Sequence, residues 1–241
     1  MLKSTVFTEA GKIHAAEGSA CEDVVMTIES ESFCFYGLAD GQSRKRYCTE
    51  GARRTLAAAA EYIKSSGISG RYTERDFRRM QCGLAKTVRA ELELMSAEYS
   101  ENILEFGSTL IALGVDPRSG RYVLAHLGDG RAAGIRPNGE IRNLSAPENG
   151  LRLNQTWLTT SPNAAAHIRV YAGSAENYDR IIIMSDGADG VFRRGLSLGK
   201  TAGLAADKER RKLLDYIKEN LPEDDSACII IDRDMQPMLK T

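Results

Sequence analysis

The chain has 241 residues, long enough for one well-buried core or at most two small domains, and it reads as a single domain over residues 1–241. Its 42% hydrophobic and 27% charged residues are ordinary for a soluble globular protein. A net charge of −1, with Lys and Arg widely spread, leaves no electrostatic footprint for nucleic acid, and no run approaches the roughly 18 apolar residues of a membrane span.

The opening Met1-Leu2-Lys3-Ser4-Thr5-Val6 lacks the apolar core of a signal peptide. The five cysteines (Cys21, Cys34, Cys48, Cys82, Cys228) contain no C-x-x-C pair, which argues against a zinc ribbon, a thioredoxin-like site or a disulfide framework. The expectation is a cytoplasmic protein. Two strands are predicted around Val24 to Ile28 and Phe33 to Leu38, with Glu29-Ser30-Glu31-Ser32 as the hairpin turn between them. A helix follows from about Glu50 to Ser65, with Ala52, Leu56 and Ile63 on one face, and it stops at Ser66-Gly67.

A longer helix begins near Thr73, where Thr73 and Asp76 resemble a capping pair. Phe77, Met80, Leu84, Val88, Leu92, Met95 and Tyr99 recur every three or four residues, a core-facing stripe. From Gly107 short β segments are predicted at 108–115, 121–127, 131–135, 155–160, 167–171 and 180–185. Asp116-Pro117-Arg118-Ser119-Gly120 and Pro137-Asn138-Gly139 read as hairpin turns. Asn143 to Ala165 is the least regular stretch and the candidate for a mobile flap. A third helix is predicted from roughly Asp207 to Asn220, and a last strand from Cys228 to Ile231. Helices segregated from meander-like strands indicate α+β layers rather than a doubly wound sheet.

Three apolar runs end in a small residue, Asp and Gly: Leu38-Ala39-Asp40-Gly41, Leu127-Gly128-Asp129-Gly130 and Ile183-Met184-Ser185-Asp186-Gly187. A fourth, Ala227 to Ile231, is entered through Asp224-Asp225. Each Asp-Gly alone also suits a turn, Asp129-Gly130 most of all. Together they suggest one acidic cluster built from distant segments. At an effective dielectric near 20, two carboxylates about 4 Å apart repel by roughly 4 kcal/mol, so a divalent cation is the natural remedy. There is no H-E-x-x-H, and His14, His126 and His167 are scattered. An all-oxygen donor set suits Mg²⁺ or Mn²⁺. Two such ions sharing Asp40 would acidify a bridging water, so the expected chemistry is hydrolysis of a phosphate ester.

Cys21-Glu22-Asp23, Ala39-Asp40-Gly41, Gly107-Ser108-Thr109-Leu110, Gly128-Asp129-Gly130-Arg131-Ala132, Ser185-Asp186-Gly187 and Asp225-Ser226-Ala227-Cys228 stand in the order of the motifs of the metal-dependent protein phosphatases. From about Gly11 to Asp232 the chain resembles this family, also called protein phosphatase 2C or PPM-type, and in particular a divergent bacterial branch. The resemblance implies a central antiparallel β-sandwich flanked by helix pairs, in α-β-β-α layers. It also implies a serine/threonine phosphatase using two Mn²⁺ or Mg²⁺ ions, with a third left open. By position, Asp40 would bridge the metals, and Asp186 with Asp224 or Asp225 would complete one site, Asp225 being preferred. Glu22 and the carbonyl of Gly41 would serve the other. Asp23 would hold a coordinated water, and Asp129 would be the accessory ligand.

Departures from the family pattern are informative. Gly18 stands where many members carry a phosphate-binding Arg, and His14 resembles the His of the divergent branch. Its alternative is a surface His. Gln42 replaces a His that donates a proton, and Gly190 replaces an acid, with Asp189 one position early. Arg44, Lys45 and Arg46 follow the Asp40 loop, where a solvated loop outweighs a phosphate screen. The implied partner is a phosphorylated protein with a cognate Ser/Thr kinase, and the chain is expected to be a monomer. The competing reading is a catalytically weak module that binds a phosphoprotein. A phospho-aspartate or P-loop mechanism is disfavoured, since neither D-x-D-x-[TV] nor G-x-x-x-x-G-K-[ST] occurs.

Overall fold

The computed structural model describes residues 2–68, 71–148, 156–197, 215–216, 218–220 and 222–233. The continuous apolar runs become strands buried on both faces. In β3 (Cys34–Asp40), Cys34, Tyr36 and Leu38 face one way while Phe35 and Ala39 face the other. In β9 (Arg180–Met184) and β10 (Ser226–Arg233) the isoleucines divide in the same alternating manner. Successive side chains on a strand point to opposite faces, so a strand without polar alternation needs cover on both sides.

Two five-stranded sheets provide that cover for each other. One has the order β1-β10-β9-β6-β7 and the other β2-β3-β4-β5-β8, every pair antiparallel. Their remaining members are β1 (Leu2–Glu9), β2 (Asp23–Glu29), β4 (Leu110–Val115), β5 (Arg121–Leu127), β6 (Arg131–Ile135), β7 (Ile141–Ser145) and β8 (Arg169–Ser174). Tyr36, Leu38, Ile111, Leu113, Ile183 and Ile229 pack between the sheets. The outer face of the second sheet is covered by α2 (Cys48–Ser66) and α3 (Glu74–Tyr99) through Phe35, Leu56, Ile63, Leu84 and Leu92. The outer face of the first is covered by α5 (Asp186–Ser197) through Ala188, Val191 and Phe192, with Tyr216 packed against the same cluster. The result is an α+β sandwich with helices on both outer faces.

The long helices match their sequence signals. The Thr73 hydroxyl accepts from the Asp76 N–H, and the Asp76 carboxylate accepts from the Thr73 N–H, a reciprocal cap. The elements the sequence conceals are those with little to bury. β1 and β7 are edge strands, and in β1 only Phe7 is buried. α1 (Lys12–Glu17) buries no residue at all. It is held instead by the Lys12 and Ile13 N–H groups, which donate to the carbonyls of Pro222 and Glu223.

Four expectations need correction. The strand expected at 155–160 is not borne out in its described residues, 156–160: Thr156 makes only an isolated bridge, and Trp157 stacks on His167 at 3.6 Å. β8 starts later than residue 167, because Ala164–His167 form a short helix, α4. Asn143 lies in β7 and not in an irregular stretch, while residues 149–155 of that stretch fall outside the described residues. Asp129-Gly130 is not a hairpin turn, since β5 and β6 belong to different sheets and the pair lies where the chain crosses between them. The predicted third helix lies mostly outside the described residues, of which 215–216 and 218–219 are helical. Among the described residues no helix is long and apolar enough to cross a membrane.

Candidate active site

Antiparallel pairing brings the motif-bearing strand ends to one end of the sandwich. Asp40 at the end of β3 is in register with Asp23 at the start of β2. The start of β4 lies beside the end of β3, where the Asp40 N–H donates to the Thr109 hydroxyl and the Thr109 N–H returns a bond to the Asp40 carbonyl. In the other sheet, the end of β9 lies beside the starts of β6 and β10. Asp186 opens α5 there, and Asp224 and Asp225 immediately precede β10.

A cleft of about 610 Å³ opens at this end. Four carboxylates line it, those of Asp40, Asp129, Asp186 and Asp224, together with the polar side chains of Gln42, Ser43, Thr109 and Thr156. Among the described residues no Lys, Arg or His side chain is in its wall. The electrostatic consequence is large. Burial pushes the Asp40 carboxyl well above the usual carboxylate range, and the charges of Asp23, Asp186, Asp129 and Asp224 push it further. Burial, followed by the charges of Asp129 and Asp224, raises Asp186 to about 6. Asp23 is raised too, chiefly by burial and further by the charges of Asp186, Asp225 and Asp224, with the Ser185 hydroxyl acting in opposition. Both carboxylate oxygens of Asp23 and the Oε2 of Glu22 are buried without a hydrogen bond. Burial also raises Glu22, which His14 partly offsets.

The two adjacent carboxylates before β10 do different work. Asp224 faces the cleft, and one of its oxygens accepts from the Asp225 N–H at 2.9 Å. Asp225 is buried and turned away from it. Its Oδ1 accepts from the Gly11 N–H at 2.8 Å and meets His14 Nδ1 at 2.9 Å, and its Oδ2 accepts from the Glu22 N–H at 2.5 Å. Asp225 therefore ties α1, the segment before β2 and the start of β10 together. Close packing explains two glycines here. A Cβ on Gly11 would fall 2.2 Å from the Asp224 backbone, and one on Gly187 would fall 2.1 Å from the Asp225 carbonyl oxygen.

His14 does not line the cleft. Its Nδ1 is engaged by Asp225, and its Nε2 stands 3.8 Å from Glu22. The hydrogen bond to Asp225 is the main reason its pKa is raised, with burial acting in opposition. Asp189 is likewise withdrawn: it is buried, and its Oδ1 accepts from Arg131 Nε at 2.7 Å. Lys45 pairs with Glu105 at 2.9 Å, and the Arg46 N–H donates to the same carboxylate. Those two basic residues anchor the loop after Asp40, in line with the solvated-loop reading. Thr156, whose hydroxyl donates to the Asp129 carboxylate, carries no motif by which to find it, because only the fold brings residues 27 apart together.

The donor set is carboxylate, carbonyl and hydroxyl oxygen, and among the described residues no cationic side chain lines the cleft, which fits a hard divalent ion. Among the described residues, however, no three His, Cys, Asp or Glu side chains converge closely enough to hold an ion by themselves. Mg²⁺-like ions are commonly held by one or two carboxylates while keeping several waters, so the two observations are compatible.

The sequence model of a family described as protein phosphatase 2C matches residues 10–223. No curated protein matches the chain in sequence. Among solved structures, the S. agalactiae serine/threonine phosphatase is 14% identical with a TM-score of 0.70, covering 96% of this chain and 99% of that one. The catalytic domain of the serine/threonine protein phosphatase PstP, in complex with two manganese ions, is 18% identical with a TM-score of 0.68, covering 96% and 97%. PppA, a key regulatory component of the T6SS in Pseudomonas aeruginosa, is 15% identical with a TM-score of 0.67 and the same coverage. At these identities the structural likeness establishes the fold.

Proposed function

The chain belongs to the protein phosphatase 2C family and is a phosphoprotein phosphatase, and on that premise we propose that it hydrolyses phosphoserine and phosphothreonine in proteins with two Mn²⁺ or Mg²⁺ ions at the acidic end of the sandwich. The observation that carries the reading is the set of carboxylates, buried Asp23 with half-buried Asp40 and Asp186, whose charges disfavour one another with no cation between them among the described residues.

In this reading Asp40, Asp186 and Asp224, with Glu22 and the Gly41 carbonyl, would hold the two ions, Asp186 and Asp224 on one side and Glu22 with Gly41 on the other. Asp224 is assigned in preference to Asp225, because both oxygens of Asp225 already accept hydrogen bonds. When bound, the ions supply neutralisation of the substrate phosphate, Lewis acidity and acidified water. The chain supplies the frame. Thr109 fixes the main chain of Asp40, and Asp225 locks the three segments that carry Glu22, Asp224 and α1. Asp23, with two unpartnered oxygens, orders water beside Asp40. Gln42 orients the substrate by hydrogen bonds but has no proton to give as an acid. His14 acts through Asp225 and Glu22 rather than on substrate. The proposal contains two ions and not three, since Asp189 is engaged by Arg131.

The natural substrate in this reading is a phosphorylated protein, paired with a Ser/Thr kinase, in the cytoplasm, with the phosphatase acting as a monomer. A phosphoprotein-binding module without turnover is the second reading. The lack of three converging ligands among the described residues favours it, and the retained mutual repulsion of the cluster counts against it. Hydrolysis of an aryl phosphate and a phosphoserine peptide, with and without Mn²⁺, separates the two. Turnover that requires the metal and vanishes in Asp40→Asn supports the phosphatase, and turnover that survives exhaustive chelation defeats the metal mechanism.

A further inference from the structure

Among the described residues the cleft wall holds four carboxylates and no cationic side chain, yet a phosphorylated substrate brings a dianion to it. Among the described residues, Arg131 follows the cleft-lining Asp129 by two positions but is held by Asp189, and Arg44, Lys45 and Arg46 directly follow the cleft-lining Gln42 and Ser43. Two of the three are committed elsewhere: Lys45 to Glu105, and Arg46 to Glu101 at 3.6 Å and to the face of Tyr47. Arg44 is exposed, and no described side chain pairs with it.

The backbone at Arg44 is unusual in the same place. The Lys45 N–H donates to the Gln42 carbonyl at 3.2 Å, closing a four-residue turn in which Arg44 is the third residue, with φ 66°. That position ordinarily belongs to Gly or Asn, because a side chain is strained at positive φ. Only one other non-glycine among the described residues has positive φ. It is Ser100, which terminates α3 and whose N–H caps the helix. Arg44 terminates no helix. The turn is also pinned from both sides, by the Gln42 N–H to the Gly107 carbonyl and by Lys45 to Glu105. An unpaired guanidinium on a strained, pinned turn that directly follows two cleft-lining residues marks function more than packing.

We propose that Arg44 is the residue that binds the substrate phosphoryl group, its guanidinium reaching over Ser43 to hold phosphate oxygens at the mouth of the cleft. Guanidinium matches phosphate geometry by paired N–H donors, which explains an Arg where a glycine would fold more easily. The inference rests on the phosphatase reading above and deepens it by naming what holds the phosphate besides the cations.

The test compares wild-type protein with Arg44→Gly and Arg44→Lys in Mn²⁺. The readouts are kcat and KM for an aryl phosphate and a phosphoserine peptide, the inhibition constant of inorganic phosphate, and the melting temperature. Arg44→Gly relieves the strained backbone, so its melting temperature is expected at or above wild type while KM for both substrates and the phosphate inhibition constant rise roughly 5- to 20-fold. Arg44→Lys keeps the charge and is expected between the two. Unchanged constants in Arg44→Gly, or a KM effect confined to the peptide, overturn the assignment, the latter by showing that Arg44 reads flanking residues. A wild-type protein that hydrolyses neither substrate overturns the phosphatase reading itself.

Discussion

Two sets of buried or half-buried carboxylates, whose members Asp186 and Asp189 are only three residues apart, behave in opposite ways. Asp189 has Arg131 at 2.7 Å, Asp232 has Arg180 at 2.6 Å, and Asp225 collects two backbone N–H groups and His14. Asp23, Asp40 and Asp186 have no such cationic partner among the described residues, and burial with repulsion from neighbouring carboxylates raises all three. A buried carboxylate is tolerated when its partner is built into the fold, and costs free energy otherwise. The first set holds the sandwich ends together. The second leaves a deficit that a cation from solution would offset. The difference is a physical criterion for which acids are structural and which belong to the chemistry.

The comparison breaks most visibly by substitution at Asp40. Asp40→Asn is expected to lower metal-dependent turnover on the order of 10³-fold or more. It should also leave the metal-free fold more stable, by about 1–2 kcal/mol, since one repelling charge is gone. Denaturant melts in chelator, run beside kinetics in Mn²⁺, check both halves. Asp189→Asn is the mirror case. It leaves Arg131 buried without its carboxylate, and the loss is expected to be about 3 kcal/mol, or a melting temperature lower by about 6–12 °C.

The Asp224 and Asp225 pair sharpens the same contrast between neighbours. Asp225→Asn removes charge from a carboxylate with three hydrogen-bonding partners, so about 2 kcal/mol of stability should go. Asp224→Asn should leave the melting temperature within a degree or so while turnover falls and the Mn²⁺ requirement rises. A stable, inactive Asp225→Asn together with an active Asp224→Asn would reverse the assignment.

A smaller effect should appear with pH. Between the ordinary carboxyl value of 3.8 and the value of about 6 for Asp186, the folded metal-free protein retains a proton that the unfolded chain has released. Stability therefore falls as pH rises through that window. Asp23 and Asp40 act in the same direction. His14, whose pKa is raised, stabilises the fold at low pH and loses that contribution as the pH climbs past 6.5. In chelator, the melting temperature is expected to drop by about 4–8 °C from pH 5 to 7.5, corresponding to roughly 2 kcal/mol. Excess Mn²⁺ should flatten the drop, because the cation takes the place of the protons.

The sequence exposes the parts of this molecule in which many apolar residues repeat. The stripe from Phe77 to Tyr99 and the runs ending at Asp40 and Asp186 are legible because both helix and strands are buried deeply. β1, α1 and β7 are not legible, since β1 buries only Phe7 and α1 buries nothing, leaving no periodicity to read. α5 was hidden for a different reason: Asp186-Gly187-Ala188-Asp189-Gly190 looks like a loop, and its helical state depends on Ala188, Val191 and Phe192 packing on the first sheet. At the site, spacing reveals which acids lie at strand ends but not which way each carboxylate turns. Asp224 and Asp225 differ only in orientation, and that is set by contacts with Gly11, His14 and Glu22, some two hundred residues away.

The central claim is that the unpaired carboxylates form a divalent-cation site. Titration calorimetry of Mn²⁺ into chelator-stripped protein, with Asp40→Asn and Asp189→Asn in parallel, tests it most directly. The account predicts binding by wild type and by Asp189→Asn at a temperature where that variant is folded, and severe weakening in Asp40→Asn. No heat of binding at millimolar Mn²⁺ in the wild-type protein, or undiminished binding in Asp40→Asn, would contradict it.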